Sequence, residues 1–370
     1  MTVQISPYTL CDTHEAASLA AEELSASSTL VVDCEGRDIG MPGGALSIIA
    51  IGDATASKIF LFDVLALTDP TDPLLAPLLS LLRRPDITKL MWDGRADFTE
   101  IAEAYGVRME GVLDLQLVEV AQRWRRKRKG CRRQQHTADY FKSLKDELTE
   151  DPAALEGIHR LYGLEHCAGM YGLIKKGGGK NHEVVAMHEQ DRTEVWMQRP
   201  LPEALLDYSA HDIHIIAQLF ARFEKKGHYL DDQEALKATS ARYMDACPTR
   251  ELRAKHAQLD LSKFAPLDVL TPSPDGMPTF ECARCERVLS LRCFSTAARP
   301  PSDSEESKAA GPASDPAAPA GVGTPEEVTA EEGQSTMTWR LTLCRLCSLL
   351  ARRHSEAALG EWVATSTTMD

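Results

Sequence analysis

Residues 30–64 read LVVDCEGRDIGMPGGALSIIAIGDATASKIFLFDV, and this stretch decides the fold. It contains three short apolar runs, at residues 30–34, 46–51 and 58–64. Turn-forming residues separate the runs, and each run therefore predicts a strand. Because strands so close in sequence usually pair with their neighbours, the pattern predicts an antiparallel meander.

The chain after this meander alternates between helical and strand patterns. Residues 74–82 and 96–105 predict helices, residues 89–92 predict a strand, and residues 111–113 predict a brief strand before a helix that starts at Asp114. Such an order is typical of the α/β class, with a mixed sheet flanked by helices. Later segments are mostly helical, at 164–173, 183–197 and 202–224.

The length and charge of the chain set limits on its organisation. Its 370 residues allow one large domain and an appended module, since domains commonly have about 100–200 residues. The formal net charge of −14 is unfavourable for general binding to phosphates. An acidic active site and an acidic tail would both lower this sum, however, and a nucleic acid responds to the local field around its groove.

The cysteines and the lack of a long apolar run favour an intracellular protein. Ten cysteines are spread along a chain whose first residues lack a secretory signal pattern, and they are therefore interpreted as reduced thiols, some of them metal ligands. The sequence contains no run of about 18 apolar residues, which argues against a membrane span. We expect an intracellular protein of the nucleus or cytoplasm, with no membrane partner.

Four carboxylates and a tyrosine form the candidate catalytic set. Asp33 and Glu35 are two positions apart on a predicted strand and therefore share a face. Asp97 opens a predicted helix, and Asp212 lies in an apolar helical stripe four residues after Tyr208. An unpaired carboxylate in such a stripe would cost several kcal/mol, so Asp212 needs a cation or another partner.

Each of these residues also has an ordinary structural interpretation. A lone Asp-x-Glu is compatible with turn chemistry, Asp97 with a helix dipole, and Asp114 is better explained as a helix N-cap than as a ligand. Their joint occurrence favours a metal site instead. Two Mg²⁺ or Mn²⁺ ions would neutralise the acids, activate a water and support displacement at a phosphodiester.

Three motifs resemble those of the DEDD 3′-5′ exonucleases, which include ribonuclease D and the Werner-type exonuclease. VVDCEG at 31–36, WDGRADFTEI at 92–101 and YSAHD at 208–212 match the three family motifs in order. The stretches GLEHCAGMYGL at 163–173 and WMQRPLPEALLDYSAHD at 196–212 resemble ribonuclease D. Residues 93–123 resemble most closely the exonuclease-domain proteins of fungi. The third motif resembles that of the tyrosine subclass, because Tyr208 lies four residues before Asp212.

The resemblance implies a fold, a reaction and roles for the five residues. The fold would be ribonuclease H-like, with a mixed five-stranded sheet flanked by helices. Asp33, Glu35 and Asp212 would hold one metal, Asp33 would touch the second, and Asp97 would act there through water. Tyr208 would orient the attacking water. The products would be nucleoside 5′-monophosphates from the 3′ end of single-stranded RNA or DNA.

A basic run lies in a charged insertion at 123–157. RWRRKRKGCRR at 123–133 carries eight basic residues in eleven positions, and it would contact phosphates, act as a nuclear localisation signal, or do both. A base would stack on its tryptophan. The candidate nucleic-acid contacts are Trp124, Arg125, Arg126, Lys127, Arg128 and Lys129.

Two CxxC pairs near the end of the chain form a second candidate metal site. Cys282 and Cys285 with Cys344 and Cys347 would suit a structural, tetrahedral Zn²⁺, with Cys293 and His354 as candidates for substitute ligands. Unmetallated thiols are the alternative. Residues 299–336, rich in Pro, Ala, Gly, Ser and Glu, are predicted to be disordered and would explain the wide gap between the pairs. Such a zinc-ribbon-like module would not be catalytic and would serve to bind a protein or a nucleic acid.

The predicted organisation therefore has three parts. An exonuclease domain covers 10–230, an extension or linker covers 231–275, and a cysteine-rich module covers 276–298 and 337–357. The leading hypothesis is a metal-dependent 3′-5′ exonuclease, and the alternative is an inactive scaffold that keeps the fold and binds nucleic acid.

Overall fold

A computed structural model describes residues 7–125, 135–150, 152–174, 193–265, 267–274, 276–299, 338–356 and 360–365. The chain divides into two compact units, Met1–Pro272 and Ser273–Asp370. Within the described parts, no helix has the length and apolar character needed to cross a membrane.

A mixed six-stranded sheet forms the centre of the first unit. Its strands are β1 Tyr8–Cys11, β2 Thr29–Arg37, β3 Ala45–Asp53, β4 Ile59–Asp63, β5 Thr88–Met91 and β6 Val112–Asp114, in the order β1-β4-β3-β2-β5-β6. The β2-β3-β4 part is the predicted antiparallel meander, and β5 and β6 continue parallel to β2. The prediction of five strands was wrong by one. Strand β1 pairs in parallel with β4 at the edge of the sheet, and its sequence YTLC mixes polar and apolar residues and contains no continuous apolar run.

Helices cover both faces of this sheet. They are α1 His14–Leu24, α2 Ala76–Arg83, α3 Arg95–Tyr105, α4 Leu115–Arg125, α5 Gln135–Tyr140, α6 Lys145–Glu150, α7 Leu164–Met170, α8 Glu203–Glu224, α9 Gln233–Asp245, α10 Arg250–Gln258 and α11 Leu267–Leu270. A small antiparallel pair joins β7 His159–Arg160 to β8 Phe264–Ala265. Four short 3₁₀ turns occupy Lys142–Leu144, Pro152–Leu155, Thr193–Met197 and Leu261–Lys263. Of the helix predicted at 183–197, residues 183–192 lie outside the described residues.

Two apolar cores follow from the alternation of side chains along the strands. On one face, Leu30 and Val32 of β2 belong to a cluster with residues of α1, α2 and α3. On the other face, Val31 of β2 belongs to a cluster with the apolar stripe of α8. The long helix predicted at 202–224 is therefore the element that covers the second face, as its helical periodicity requires.

A glycine sets how closely α8 approaches the sheet. A Cβ atom added to Gly52 of β3 would lie 2.6 Å from Cγ2 of Ile213 in α8. Real Cβ atoms do not come so near, and any larger residue would push the helix outward. Because Ile213 follows Asp212 directly, this close packing also fixes the depth of that carboxylate.

The residues after the predicted exonuclease domain pack onto the same unit. The hydroxyl of Ser240 in α9 accepts a hydrogen bond from the backbone N–H of Asp114, at 2.9 Å. Arg250 in α10 forms an ion pair with the buried Glu100 of α3, at 2.8 Å. Residues up to Pro272 thus belong to the first unit.

The charged insertion is anchored by aromatic side chains. Phe141 is fully buried and stacks on Phe264 of β8, with ring centroids 5.7 Å apart. Tyr140 meets both rings edge-on, and its hydroxyl donates to Asp260 at 2.7 Å. The middle of the insertion is therefore held against the segment that follows α10.

The second unit has its own small sheets and one helix among its described residues. The elements are β9 Thr279–Glu281, β10 Val288–Ser290, a 3₁₀ turn Leu291–Cys293, β11 Phe294–Ala297, β12 Thr338–Cys344, α12 Arg345–Arg353 and β13 Trp362–Thr365. Strands β9 and β10 form a hairpin, and β11, β12 and β13 form an antiparallel sheet. Of the segment 299–336, predicted to be disordered, only Arg299 lies within the described residues.

Candidate active site

Strand β2 presents two acids to helix α8. Alternation along the strand turns Leu30, Val32 and Cys34 toward the layer of α1, α2 and α3. Val31 and the two acids at positions 33 and 35 therefore turn toward the other face, which α8 covers. Three carboxylates meet there, those of Asp33, Glu35 and Asp212.

This acid cluster has the chemistry of a metal site. One oxygen from each of Asp33, Glu35 and Asp212 lies within 4.8 Å of the others. Glu35 and Asp212 are 8% and 4% exposed, and Asp33 is half-buried. Three carboxylates so close together repel one another unless a cation compensates them. Because Mg²⁺ and Mn²⁺ prefer oxygen ligands, the donor set fits a hard divalent cation.

Asp97, the fourth predicted acid, is not a member of this cluster. It lies in the first turn of α3, where it contacts Cys34. Burial raises the pKa of Asp97 to about 6, while the backbone N–H of Cys34 and the charge of Arg253 act in the opposite direction. Burial also raises the pKa of the Cys34 thiol, helped by the charges of Asp97 and Asp33, so Cys34 stays protonated. The structure thus brings three of the four acids together and places the fourth beside them.

Helix α8 carries both residues of the third motif. Tyr208 is 9% exposed and meets the ring of Trp196 edge-on, with centroids 6.3 Å apart. The neighbouring Asp207 points elsewhere, to the phenol of Tyr8. Burial and then the charge and hydrogen bond of Asp207 raise the pKa of Tyr8 to about 12. Tyr208 and Asp212, four residues apart, therefore share the sheet-facing side of the helix without Asp207.

An arginine clamp fixes the segment that leads into α8. Arg199 binds the buried Asp63 of β4 through two hydrogen bonds, of 2.6 and 2.7 Å. The same guanidinium donates to the hydroxyl of Ser47 at 3.0 Å and to the carbonyl of Trp196 at 3.0 Å. This clamp ties β3, β4 and the 3₁₀ turn together just before the helix that carries Asp212.

A buried polar network positions the start of α3. Asp114 caps α4 by accepting from the N–H of Gln116 at 2.9 Å, as predicted, and it also accepts from the N–H groups of Asp93 and Gly94. Burial and the charge of Asp93 raise its pKa to about 7. Arg95 pairs with Asp93 at 2.6 Å. The turn before Asp97 is thus fixed by Asp114, which binds the backbone of Asp93 and Gly94, and by the ion pair of Arg95 with Asp93.

The predicted nucleic-acid contacts fall largely outside the described residues. Residues 126–129 are not described, and Trp124 and Arg125 belong to α4 without described side chains. Arg123, at the start of the basic run, is engaged within the protein. It pairs with Glu119 at 2.7 Å and donates to the carbonyl of Arg160 at 2.6 Å.

The two CxxC pairs converge in the second unit. The sulfur atoms of four buried cysteines lie within 4.8 Å of one another, namely Cys282, Cys285, Cys344 and Cys347. Hydrogen bonds from the other three cysteines lower the pKa of Cys282, and hydrogen bonding within the cluster raises that of Cys344 and Cys347. The N–H of Cys344 also points at the Cys282 sulfur, at 3.2 Å. This donor set fits a Zn²⁺ ion held by four thiolates, and it does not include Cys293 or His354.

Sequence reasoning missed several residues around the site. It singled out the Arg-Pro pair at 199–200 only as a resemblance, and it assigned no role to Glu100, Arg250 or Arg253. Arg250 and Glu100 are 150 positions apart, so no local pattern signals their contact.

Comparisons with known proteins show what this chain is similar to. A family model described as 3′-5′ exonuclease matches residues 8–228. A search of curated proteins found no match. The crystal structure of RNase D from Trypanosoma brucei is similar at 25% identity, with a TM-score of 0.52, over 66% of this chain and 74% of that chain.

Two complexes of the same trypanosomal enzyme are also similar. The complex with GMP is 26% identical, with a TM-score of 0.51, over 66% of this chain and 65% of that chain. The complex with the RNA U12 is 25% identical, with a TM-score of 0.50, over 66% of this chain and 71% of that chain.

Proposed function

Because this chain belongs to the 3′-5′ exonuclease family, whose model matches residues 8–228, we propose that it is an active, metal-dependent 3′-5′ exonuclease. It hydrolyses phosphodiester bonds from the 3′ end of a nucleic acid and releases nucleoside 5′-monophosphates. The observation that carries this proposal is the convergence of the Asp33, Glu35 and Asp212 carboxylates within 4.8 Å.

We assign metal binding to the four acids and orientation of the attacking water to Tyr208. Asp33, Glu35 and Asp212 would hold two Mg²⁺ or Mn²⁺ ions, and Asp97 would contribute through water. When bound, these ions supply a more acidic water and stabilise charge on the phosphate and leaving oxygens. Tyr208 orients the attacking water, and its packing on Trp196 limits the positions its hydroxyl can take.

The position of Asp207 supports the tyrosine subclass. A histidine-subclass enzyme would need a histidine at position 207, five residues before Asp212. In this chain, that position holds an aspartate whose side chain binds Tyr8. Tyr208 is therefore the proposed water-orienting residue. The kinship with fungal exonuclease-domain proteins is a further proposal, which rests on the sequence of residues 93–123.

RNA is the proposed substrate, with DNA as the alternative. The similar trypanosomal RNase D binds GMP in one structure and the RNA U12 in another. A single-stranded 3′ end is proposed because the terminal phosphodiester must reach three carboxylates, of which Asp33 is half-buried and Glu35 and Asp212 are buried.

The test compares Asp33→Ala with the parent on single-stranded RNA and DNA. We expect release of mononucleotides with Mg²⁺ or Mn²⁺, and a loss of at least about 100-fold in the variant, because removing a metal ligand raises the barrier by several kcal/mol. Asp12→Ala, which removes an exposed acid, is the matched control and should keep full activity.

Two outcomes would contradict the proposal. Equal activity of Asp33→Ala and the parent would show that the assigned site does not perform the reaction. Binding of RNA by both proteins, without any release of mononucleotides, would identify a scaffold that keeps the fold.

We also propose that the second unit holds a structural Zn²⁺ through Cys282, Cys285, Cys344 and Cys347. The four sulfurs are buried and close together, and a closed four-thiolate site has no open position for chemistry. The module would therefore serve binding, to nucleic acid or to a protein, and not catalysis.

A further inference from the structure

Helix α10 lies beyond the residues matched by the family model, yet it is firmly attached to α3, the helix that carries Asp97. Thr249 caps the helix by accepting from the N–H of Leu252 at 3.2 Å. Arg250 then binds both carboxylate oxygens of Glu100, at 3.1 and 2.8 Å, and Glu100 is 1% exposed. A buried bidentate pair of this kind fixes both the position and the rotation of a helix.

Glu100 links this helix to the loop that follows the acid-bearing strand. The N–H of Gly40 donates to Glu100 at 2.8 Å. Gly40 has φ of +74°, and a Cβ atom there would lie 2.6 Å from Nε of Arg253 and 2.8 Å from its Cδ. The side chain of Arg253 therefore lies directly on this loop, which begins three residues after Glu35.

The side chain of Arg253 lies close to the first turn of α3, which carries Asp97. The Cβ position on Gly40 that touches Arg253 is also 2.9 Å from Cβ of Ala96, the neighbour of Asp97. Arg253 is half-buried, and across the described parts of the chain no group accepts a hydrogen bond from its guanidinium. An arginine carries five N–H donors in a planar fork that matches a phosphate.

We propose that Arg253 binds a backbone phosphate of the nucleic acid whose 3′ end lies at the acid cluster. This inference rests on the proposed function. The acids that bind cations also repel the substrate, and the whole chain carries a net charge of −14. A positive side chain on the rim of the site compensates this repulsion at one phosphate. Glu100 and Arg250 act as positioning residues, since they hold α10 and the loop on which Arg253 rests.

The experiment measures binding apart from catalysis. The full chain is titrated against a fluorescent single-stranded oligoadenylate with Ca²⁺ in place of Mg²⁺, at several salt concentrations. We expect Arg253→Ala to weaken binding about tenfold at low salt and to reduce the slope of log K against log salt by about 1. Arg253→Lys, which keeps the charge but not the fork, should recover part of the affinity.

Lys225→Ala is the matched control. It removes one exposed positive charge thirteen positions after Asp212, roughly 20 Å along the helix, and should bind like the parent. In the assay of mononucleotide release with Mg²⁺, Arg253→Ala should raise KM with little change in kcat. Thermal unfolding of each variant shows whether its fold is intact.

The outcomes separate this inference from the proposed function. If Arg253→Ala binds the oligonucleotide as tightly as the parent, with the same salt dependence, the inference is overturned even where the exonuclease activity is demonstrated. If the parent releases no mononucleotides but loses affinity on Arg253→Ala, the phosphate contact stands and the exonuclease proposal fails.

Discussion

At the scale of single residues, the acid cluster depends on local spacing, whereas the contacts that support it join distant parts of the chain. Asp33 and Glu35 share a face because of strand alternation, and Tyr208 and Asp212 share one because of helical spacing. These rules act within five positions of the chain. The Arg199–Asp63 clamp joins residues 136 positions apart, and no periodic pattern marks either of them.

The Arg199 clamp provides a test of stability at this scale. Asp63 is 4% exposed, so Arg199→Ala leaves a buried carboxylate without its main partner. We expect a loss of about 3–5 kcal/mol in the free energy of unfolding, measured by urea denaturation. Arg84→Ala, which breaks an exposed ion pair with Asp86, should change stability little. Equal stability of Arg199→Ala and the parent would refute the clamp.

At the scale of elements, the sequence predicts the meander of β2, β3 and β4 but not β1, the strand at the edge of the sheet. The apolar runs of β2, β3 and β4 show their strand character in the sequence. Strand β1, with the mixed sequence YTLC, is recognised as a strand only through its pairing with β4. The turn at Thr193–Met197 similarly takes its form from tertiary contacts, since Ser47 and Arg199 both donate to the Trp196 carbonyl.

The loop between β3 and β4 carries a prediction about pH. Burial raises the pKa of Asp53, but hydrogen bonds from Ser57 and Thr55 outweigh it and lower the pKa to about 2 from 3.8. The ionised form is therefore favoured in the folded state, and its contribution is present above pH 3.8 and lost as the pH falls toward 2.

We expect Asp53→Asn to lower stability by about 1 kcal/mol near neutral pH, a modest value because the loop is partly exposed. The difference from the parent should shrink as the pH falls below about 4. Urea denaturation at several pH values measures this difference, and Asp12→Asn is the control for loss of an exposed acid. A difference that stays constant down to about pH 3 would contradict the role of the ionised carboxylate.

At the scale of the whole molecule, the division into two units leads us to expect that each unit responds differently to removal of zinc. A zinc chelator should unfold the second unit, since a small metal-bound module commonly depends on its ion. The first unit, with its own sheet and cores, should keep its structure and its activity once Mg²⁺ is restored. Limited proteolysis and mononucleotide release measure the two responses.

Variants of the second unit sharpen this test. Cys344→Ser should reduce the zinc content measured by atomic emission, because it removes one of the four clustered sulfurs. Cys293→Ala, which alters a buried cysteine outside the cluster, should retain the metal. Loss of the exonuclease unit's structure on chelation would show that the two units do not fold independently.

The attachment of α9 and α10 has a practical consequence for anyone cloning this protein. A recombinant fragment that stops where the family match stops, at residue 228, would omit Arg250, Ser240 and the Ser262 carbonyl. Glu100 and Arg95 would then lose charged or polar partners in the interior, at 1% and 4% exposure. The smallest fragment that can be expected to crystallise or to work therefore extends to about residue 272, well past the cloning boundary that a domain search suggests.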